Sequence, residues 1–158
     1  MPRLIPALRR DERGASLVEL ALMAPILLAF LAGIVDCARL YAAKLSMQQA
    51  AERSVEIATA GGISAASDQA LQTIKTNMQN DATSAAPAAS QVTASLWLEC
   101  AGVKQNDFNT ACNTGDQVAR YAAVSITGSY RPAFPYLFGS LVSNGRIAVR
   151  GAASVRVQ

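Results

Sequence analysis

The first third of the chain carries one long apolar run. Between residues 15 and 35, apolar and small side chains follow one another on every face of a predicted helix, and Glu19 is the only charged residue among them. A helix rises about 1.5 Å per residue, so this run spans roughly 31 Å, close to the hydrocarbon thickness of a bilayer. The pattern predicts one membrane-spanning helix.

A more polar pattern continues this helix beyond the apolar run. Residues 36–60 contain neither proline nor glycine, and they lead into Gly61 and Gly62, which are typical of a helix end. We expect one helix of about 45 residues, half in lipid and half outside. The stripe expected to pack under the globular part comprises Ala38, Tyr41, Leu45, Ala51, Val55 and Ala58.

The rest of the chain predicts one short helix and a small sheet. Ser67 and Asp68 start a helix that continues to about Asn80, and the Ala, Ser and Pro residues at 82–90 indicate a linker. Residues 92–99, 118–127 and 147–157 alternate between apolar and polar, which predicts three antiparallel strands. The expected class is α+β: a long N-terminal helix with a membrane-spanning first half, a short helix and a sheet of about three strands.

An aromatic loop lies between the second and third predicted strands. It contains Phe134, Tyr136 and Phe138, and the prolines at 132 and 135 prevent a strand from absorbing it. Two interpretations stay open. The loop could be a lid over the core, or it could contact a partner subunit or the bilayer surface.

Basic residues are denser before the apolar run than after it. Because Lys and Arg set membrane topology, we expect the N-terminus to stay in the cytoplasm and the C-terminal part to be exported. The formal net charge of +3 lies mostly in the first 14 residues, so the rest carries about +1. The basic residues on the two sides are Arg3, Arg9, Arg10 and Arg13 before the run, and Arg39, Lys44 and Arg53 after it.

A cleaved export signal is the main alternative to an uncleaved membrane helix. A secretory signal has a shorter apolar stretch with a small-x-small exit site, whereas this run continues to Val35. A lipoprotein signal needs a cysteine directly after a Leu-small-small triplet, but Ile34 follows Gly33 and the cysteine comes only at Cys37. The sequence therefore favours the membrane helix.

The head of the apolar run resembles a type IV prepilin. In that class a short basic leader ends in glycine, a peptidase cuts after it on the cytoplasmic face, and the mature helix carries glutamate at its fifth position. Gly14, Ala15 and Glu19 match these positions one for one. The resemblance implies cleavage between Gly14 and Ala15. It also implies that the Glu19 carboxylate of one subunit meets the new amine of a neighbour, an amine that is largely cationic at neutral pH.

The wider stretch RDERGASLVELALMAPILLAFLAGIVDCARLY resembles the TadE-like family of tight-adherence (Tad) pilus proteins. Helices of that family carry a proline near the middle and an acidic and then a basic residue where they leave the membrane. Pro25, Asp36 and Arg39 occupy these places. The first 60 residues carry most of the resemblance, which implies four segments: a cleaved leader at 1–14, a transmembrane helix at 15–35, its periplasmic continuation at 36–62 and a small exported domain at 63–158.

The resemblance implies a structural assembly protein of the inner membrane. Its expected role is that of a minor pilin or pseudopilin that takes part in pilus assembly or priming, with incorporation into an extracellular pilus as a further expectation. The implied partners are a prepilin peptidase, other pilins and pseudopilins, an inner-membrane assembly platform and the membrane. The alternative is a permanently anchored periplasmic scaffold or binding module, and a third possibility is a secreted enzyme that is stapled by a disulfide.

Two of the three cysteines enclose a polar, turn-rich stretch. Cys100 and Cys112 could form a bridge that staples this loop in an oxidising compartment, although two free thiols fit the spacing as well. Cys37 lies at the membrane exit and is expected to stay unpaired.

The composition argues against several other functions. The chain contains no histidine, so it offers no Ser-His-Asp or Cys-His machinery, and it has neither a glycine-rich phosphate loop nor a close cysteine pair for zinc. The sequence has no basic patch with interleaved aromatic residues, so it gives no indication of nucleic-acid binding. We expect no catalytic residues, no metal and no cofactor.

Overall fold

The apolar run and its polar continuation form a single helix. The structure is a computed structural model that describes residues 12–61, 63 and 67–157, and of these the side chains of residues 12, 13 and 15 are not described. Helix α1 (Glu12–Ala60) contains 49 residues and continues through Pro25. It starts within three residues of the expected position and ends where the sequence predicted. Residues 1–11 of the expected leader lie outside the described residues, as does Gly62.

Helix α2 (Asp68–Ala85) begins at the predicted cap, where the Ser67 side chain accepts a hydrogen bond from the backbone N–H of Ala70. It extends five residues beyond Asn80, because Ala82 is fully buried against the core and gives the last turn a packing partner. The residue before a proline avoids helical geometry, so the helix ends ahead of Pro87. The predicted linker at 82–90 is therefore mostly regular structure, shared between α2 and the first strand.

An antiparallel sheet packs against both helices. Its strands are β1 (Ala89–Cys100), β2 (Val103–Lys104), β3 (Val118–Tyr130) and β4 (Ile147–Arg156), in the order β2-β1-β3-β4. The expected α+β class is confirmed. The two-residue strand β2 is additional to the three predicted strands, and a tight turn at Ala101 and Gly102, both with positive φ, folds it back onto β1.

The buried face of α1 differs from the predicted stripe in its first half. Ala38, Tyr41 and Leu45 are exposed, whereas the later stripe residues are buried as expected. The face of α1 that packs against the rest of the domain is continuous from residue 47, where its buried members recur every three or four positions. Its buried members are Asp36, Met47, Ala50, Ala51, Ser54, Val55 and Ala58.

Two strand glycines allow α1 to lie directly on the sheet. A Cβ added to Gly151 would collide with the backbone of Met47 and would lie 2.6 Å from the nitrogen of Gln48. A Cβ on Gly128 would collide with the Met47 side chain and lie 2.6 Å from the carbonyl oxygen of Ala88. Glycine inside a strand often marks such a close backbone approach.

Gln48 closes part of the exposed edge of the sheet. β4 is an edge strand, and unpaired edge groups invite pairing with other chains. The Gln48 side-chain amide donates to the carbonyl oxygen of Ala152 at 3.0 Å, and its oxygen accepts from the Ala152 N–H at 3.1 Å. Helix α1 therefore supplies both partners that a neighbouring strand would have supplied at this residue.

A disulfide closes the loop at one end of the sheet. Cys100 and Cys112 are joined with their Cα atoms 5.5 Å apart, and the loop that they enclose contains β2 and the buried Phe108. Cys37 is a free, exposed thiol.

We expect a Cys100→Ser/Cys112→Ser variant to lose about 3 kcal/mol of unfolding free energy, because the unfolded chain regains the entropy of a loop of this length. Urea unfolding of the detergent-solubilised protein measures this loss. Cys37→Ser is the matched control and should leave the free energy unchanged. Equal stability of the double variant and the parent would contradict the expectation.

Candidate functional site

The first half of α1 is an apolar rod that the rest of the described chain leaves largely bare. Large apolar side chains between residues 17 and 35 are 48% to 69% exposed. An 18-residue window here has a mean hydropathy of 2.4, and none of it is buried. Consecutive residues are exposed, so every face of the helix is open. One long apolar N-terminal helix of this kind fits a single-pass membrane anchor.

The predicted processing and assembly residues lie at the start of this rod. Gly14 is exposed in the first turn of α1, and among the described residues a Cβ there would meet nothing within 4 Å. The side chain of Ala15 is not among those that the structure describes. Glu19 is exposed, and no hydrogen bond or ion pair to it occurs in the described part of the chain. Its carboxylate is therefore available to a group from outside the described fold.

Pro25 lies inside α1, six residues beyond Glu19. Because proline has no N–H, the Ala21 carbonyl oxygen receives no hydrogen bond from the residue four positions later. The helix continues through this gap in its ladder of hydrogen bonds.

Asp36 marks the point where the globular domain attaches to the rod. Its side chain is 1% exposed. One carboxylate oxygen accepts hydrogen bonds from the Tyr130 hydroxyl at 3.0 Å and the Ala133 N–H at 3.1 Å. The other oxygen accepts from the Phe134 N–H at 2.9 Å. The carboxylate thus holds the end of β3 and the connection that follows it against the helix.

These bonds shift the pKa of both side chains. The Ala133 N–H is the largest influence on Asp36 and lowers the pKa of its carboxyl below the ordinary value of 3.8, although burial opposes this shift. The positive charge of Arg39 also lowers the pKa of Asp36. Burial, together with the bond to Asp36, raises the pKa of Tyr130 above 10.0. The arrangement therefore favours an ionised Asp36 that accepts from a neutral Tyr130.

We expect Asp36→Asn to lower the thermal unfolding midpoint at neutral pH, because an amide has one accepting oxygen for three donors. The ionised carboxylate stabilises the fold above pH 3.8 and loses this effect as the pH falls through its depressed pKa. The difference between the parent and Asp36→Asn should therefore shrink on acidification. Midpoints measured by circular dichroism at several pH values test this.

Arg39→Gln is the matched control for this prediction. Arg39 is exposed and acts on Asp36 only through its charge, so its loss should lower the midpoint less. A gap between parent and Asp36→Asn that is the same at neutral and acidic pH would contradict the role assigned to the carboxylate.

The predicted aromatic loop forms a 3₁₀ segment, Pro135–Leu141, with a kink at Gly139. No residue of this segment is buried, so it does not cover the core. It lies instead against the rod, where the Leu137 side chain is 3.6 Å from the position of a Cβ on Gly33. Together they form an apolar groove of about 710 Å³. Its lining residues are Pro25, Ile26, Ala29, Phe30, Gly33, Ile34, Cys37, Leu137 and Phe138.

The sequence pointed to residues on both sides of this site but not to the contacts that join them. Asp36 stood out as the acid of an acid-base pair, but its hydrogen-bond partners lie on residues 130–134. Tyr130 and Leu137 had no motif of their own. One signal in the sequence could have revealed these contacts. It is the uncharged stretch around the aromatic residues, which directly follows a strand that ends in tyrosine.

The helical part of this site is similar to a known protein family. Residues 14–55 match the family model described as TadE-like protein. The match covers the rod, Asp36 and most of the rest of α1, and it confirms the resemblance to the TadE-like family that these residues suggested. The likeness is to this helical part of the chain. Among curated proteins and among solved structures, no match to the chain was found.

Proposed function

We propose that this chain, which is TadE-like over residues 14–55, is a minor pilin or pseudopilin of a Tad pilus system. The observation that carries the proposal is the bare apolar rod, with a glycine before it and, near its start, a glutamate that has no partner among the described residues. A prepilin peptidase on the cytoplasmic face removes the leader after Gly14. The mature helix then exchanges lipid for the helices of neighbouring pilins.

The exposed surface of the rod supports this exchange. Lipid and a neighbouring apolar helix are equally apolar, so helix association in a membrane relies on close packing and on a few polar contacts. Glu19 is the one ionisable residue between positions 15 and 35 and needs a partner there. In this proposal the partner is the Ala15 amine of a neighbouring subunit, and the ion pair sets the axial register.

The globular domain stays on the periplasmic side until assembly. The disulfide between Cys100 and Cys112 fits an oxidising compartment, and the denser arginines before the rod favour a cytoplasmic N-terminus. The inner-membrane assembly platform would receive the protein in this orientation. In this role the protein is an assembly subunit and not an enzyme.

A permanently anchored scaffold or binding module of the secretion apparatus is the second candidate. The groove between the rod and the segment Pro135–Leu141 favours this second function, because a protein with such a groove could bind a partner while it stays anchored in the membrane. Filament shearing separates the two functions. A pilin should occur both in the inner-membrane fraction and in sheared surface filaments, whereas recovery from the membrane fraction alone would support the scaffold.

A further inference from the structure

The connection between β3 and β4 exposes several apolar side chains. Residues 132–142 contain no charged side chain. Tyr136 is 96% exposed and Leu141 is 66% exposed, while Phe134 and Leu137 are about half exposed. Contiguous apolar exposure of this kind marks a contact with a partner or a membrane.

The contacts of this connection fix its position along the axis of α1. Its start is bound to Asp36, directly after the apolar run. From there it extends back along the rod, where Leu137 reaches Gly33 and Phe138 shares the groove with residues as early as Pro25. Because residues up to 35 lie within the predicted span, the segment Pro135–Leu141 sits at the depth of the membrane end of the helix.

The charges around the connection are of one sign. Asp116 is the last acidic residue of the chain, so every charged side chain in residues 117–158 is an arginine. Arg131 and Arg146 border the uncharged stretch, and both are exposed. Arg39 on α1 lines a pocket together with Arg131. The nearby acid, Asp36, is buried and fully engaged.

We propose that residues 132–142 insert into the interface of the same bilayer that holds α1, with phospholipid as the occupant of their exposed apolar surface. Aromatic side chains favour the boundary between headgroups and acyl chains, and flanking arginines bind lipid phosphates. The α1 anchor and this loop then form two attachments on one leaflet, and they hold the sheet in a fixed orientation to the membrane. The inference needs only a membrane-anchored helix and is independent of the pilin proposal.

Tryptophan fluorescence with brominated lipids tests the insertion. Trp97 is the one tryptophan of the chain, so Trp97→Phe gives a silent background. In that background, Tyr136→Trp places the probe on the loop without disturbing packing, because Tyr136 is almost fully exposed. Val103→Trp is the matched control, since Val103 is also exposed and pairs with Cys100 at the opposite end of the sheet. Along β3 that end lies about 40 Å from Tyr130.

The full-length variants are reconstituted into vesicles of phosphatidylethanolamine and phosphatidylglycerol. Interfacial segments lie about 5–10 Å deep, so lipids brominated near the headgroup should quench the probe at 136 about two-fold or more relative to the probe at 103. Lipids brominated near the chain end should quench it less. Emission from position 136 should also be blue-shifted.

Equal quenching of the two probes would overturn the proposal. So would a probe at 136 that becomes shielded from brominated lipid as the protein-to-lipid ratio rises, because that result would make a second copy of the chain the occupant. Neither result would bear on cleavage or filament incorporation, so the pilin proposal is tested separately.

Discussion

A Glu19→Gln variant should be processed and inserted like the parent, yet it should fail to enter filaments or pilin complexes. Glutamine keeps the shape of the side chain and removes its charge. An ionisable group in a spanning helix costs on the order of a few kcal/mol at mid-bilayer and less near the interface, so it is a functional candidate by default. In the described part of the chain Glu19 has no partner, which leaves its charge for a neighbouring subunit. Quantitative immunoblotting of sheared filaments and of detergent-extracted complexes measures incorporation.

Glu56→Gln is the matched control, because Glu56 is an exposed carboxylate on the same helix beyond the predicted span. It should be incorporated like the parent. If Glu19→Gln is also incorporated like the parent, then Glu19 merely reaches water near the headgroups, and the charge-pairing role is wrong.

Gly151→Ala is expected to be the most damaging single-methyl change in the domain. The added Cβ would collide with the Met47 backbone, and a helix backbone cannot move aside as a flexible side-chain end can. Overpacking of a well-packed core costs about 1–3 kcal/mol and occasionally more, so the urea midpoint should fall clearly. Separation of α1 from β4 would also break the two Gln48 bonds to Ala152.

Gly33→Ala is the control for this change. Among the described residues, a Cβ there would meet only Leu137, at an ordinary contact distance of 3.6 Å, and alanine favours helix over glycine. Stability should be kept or slightly raised. A Gly151→Ala protein with the parent's urea midpoint would mean that α1 does not lie against β4 at this distance.

The course of α1 could be predicted because local pattern and global fold agree there. An unbroken apolar run, a continuation without glycine or proline and a glycine end all indicate one helix, and tertiary contacts did not need to override them. The sheet followed from alternation for the same reason. The two-residue strand β2 could not be predicted, because its pairing depends on a turn within a loop that has no alternation of its own.

The first half of the buried face of α1 was misassigned because its buried residue, Asp36, is polar. Asp36 and Ser54 are almost fully buried, and a search for apolar spacing passes over them. Their burial is offset by partners distant in sequence. Ser54 donates to Asp81 on α2 at 2.8 Å, and Asp36 accepts from the end of β3 and its connection. Sequence spacing alone does not reveal such partners.

The candidate site likewise has one part that the sequence could predict and one part that it could not. Gly14, Glu19 and Pro25 form a local pattern on one helix, so the sequence was sufficient to select them. The loop side depends on a contact between Asp36 and Tyr130, which lie 94 residues apart. Gly151 was recognisable in principle, because glycine within a predicted strand indicates a bulge or a close backbone approach.

The intact mass of the protein extracted from membranes, with and without a prepilin peptidase in the same cells, tests the central proposal most directly. With the peptidase, the mass should be that of a chain beginning at Ala15, and without it the mass should be that of the full-length precursor. Gly14→Leu should stay full-length in both cases, because a bulky side chain replaces the small residue at the cleaved bond. A parent protein that stays full-length beside an active peptidase, a normally processed Gly14→Leu variant or a released chain beginning near Asp36 would contradict the account.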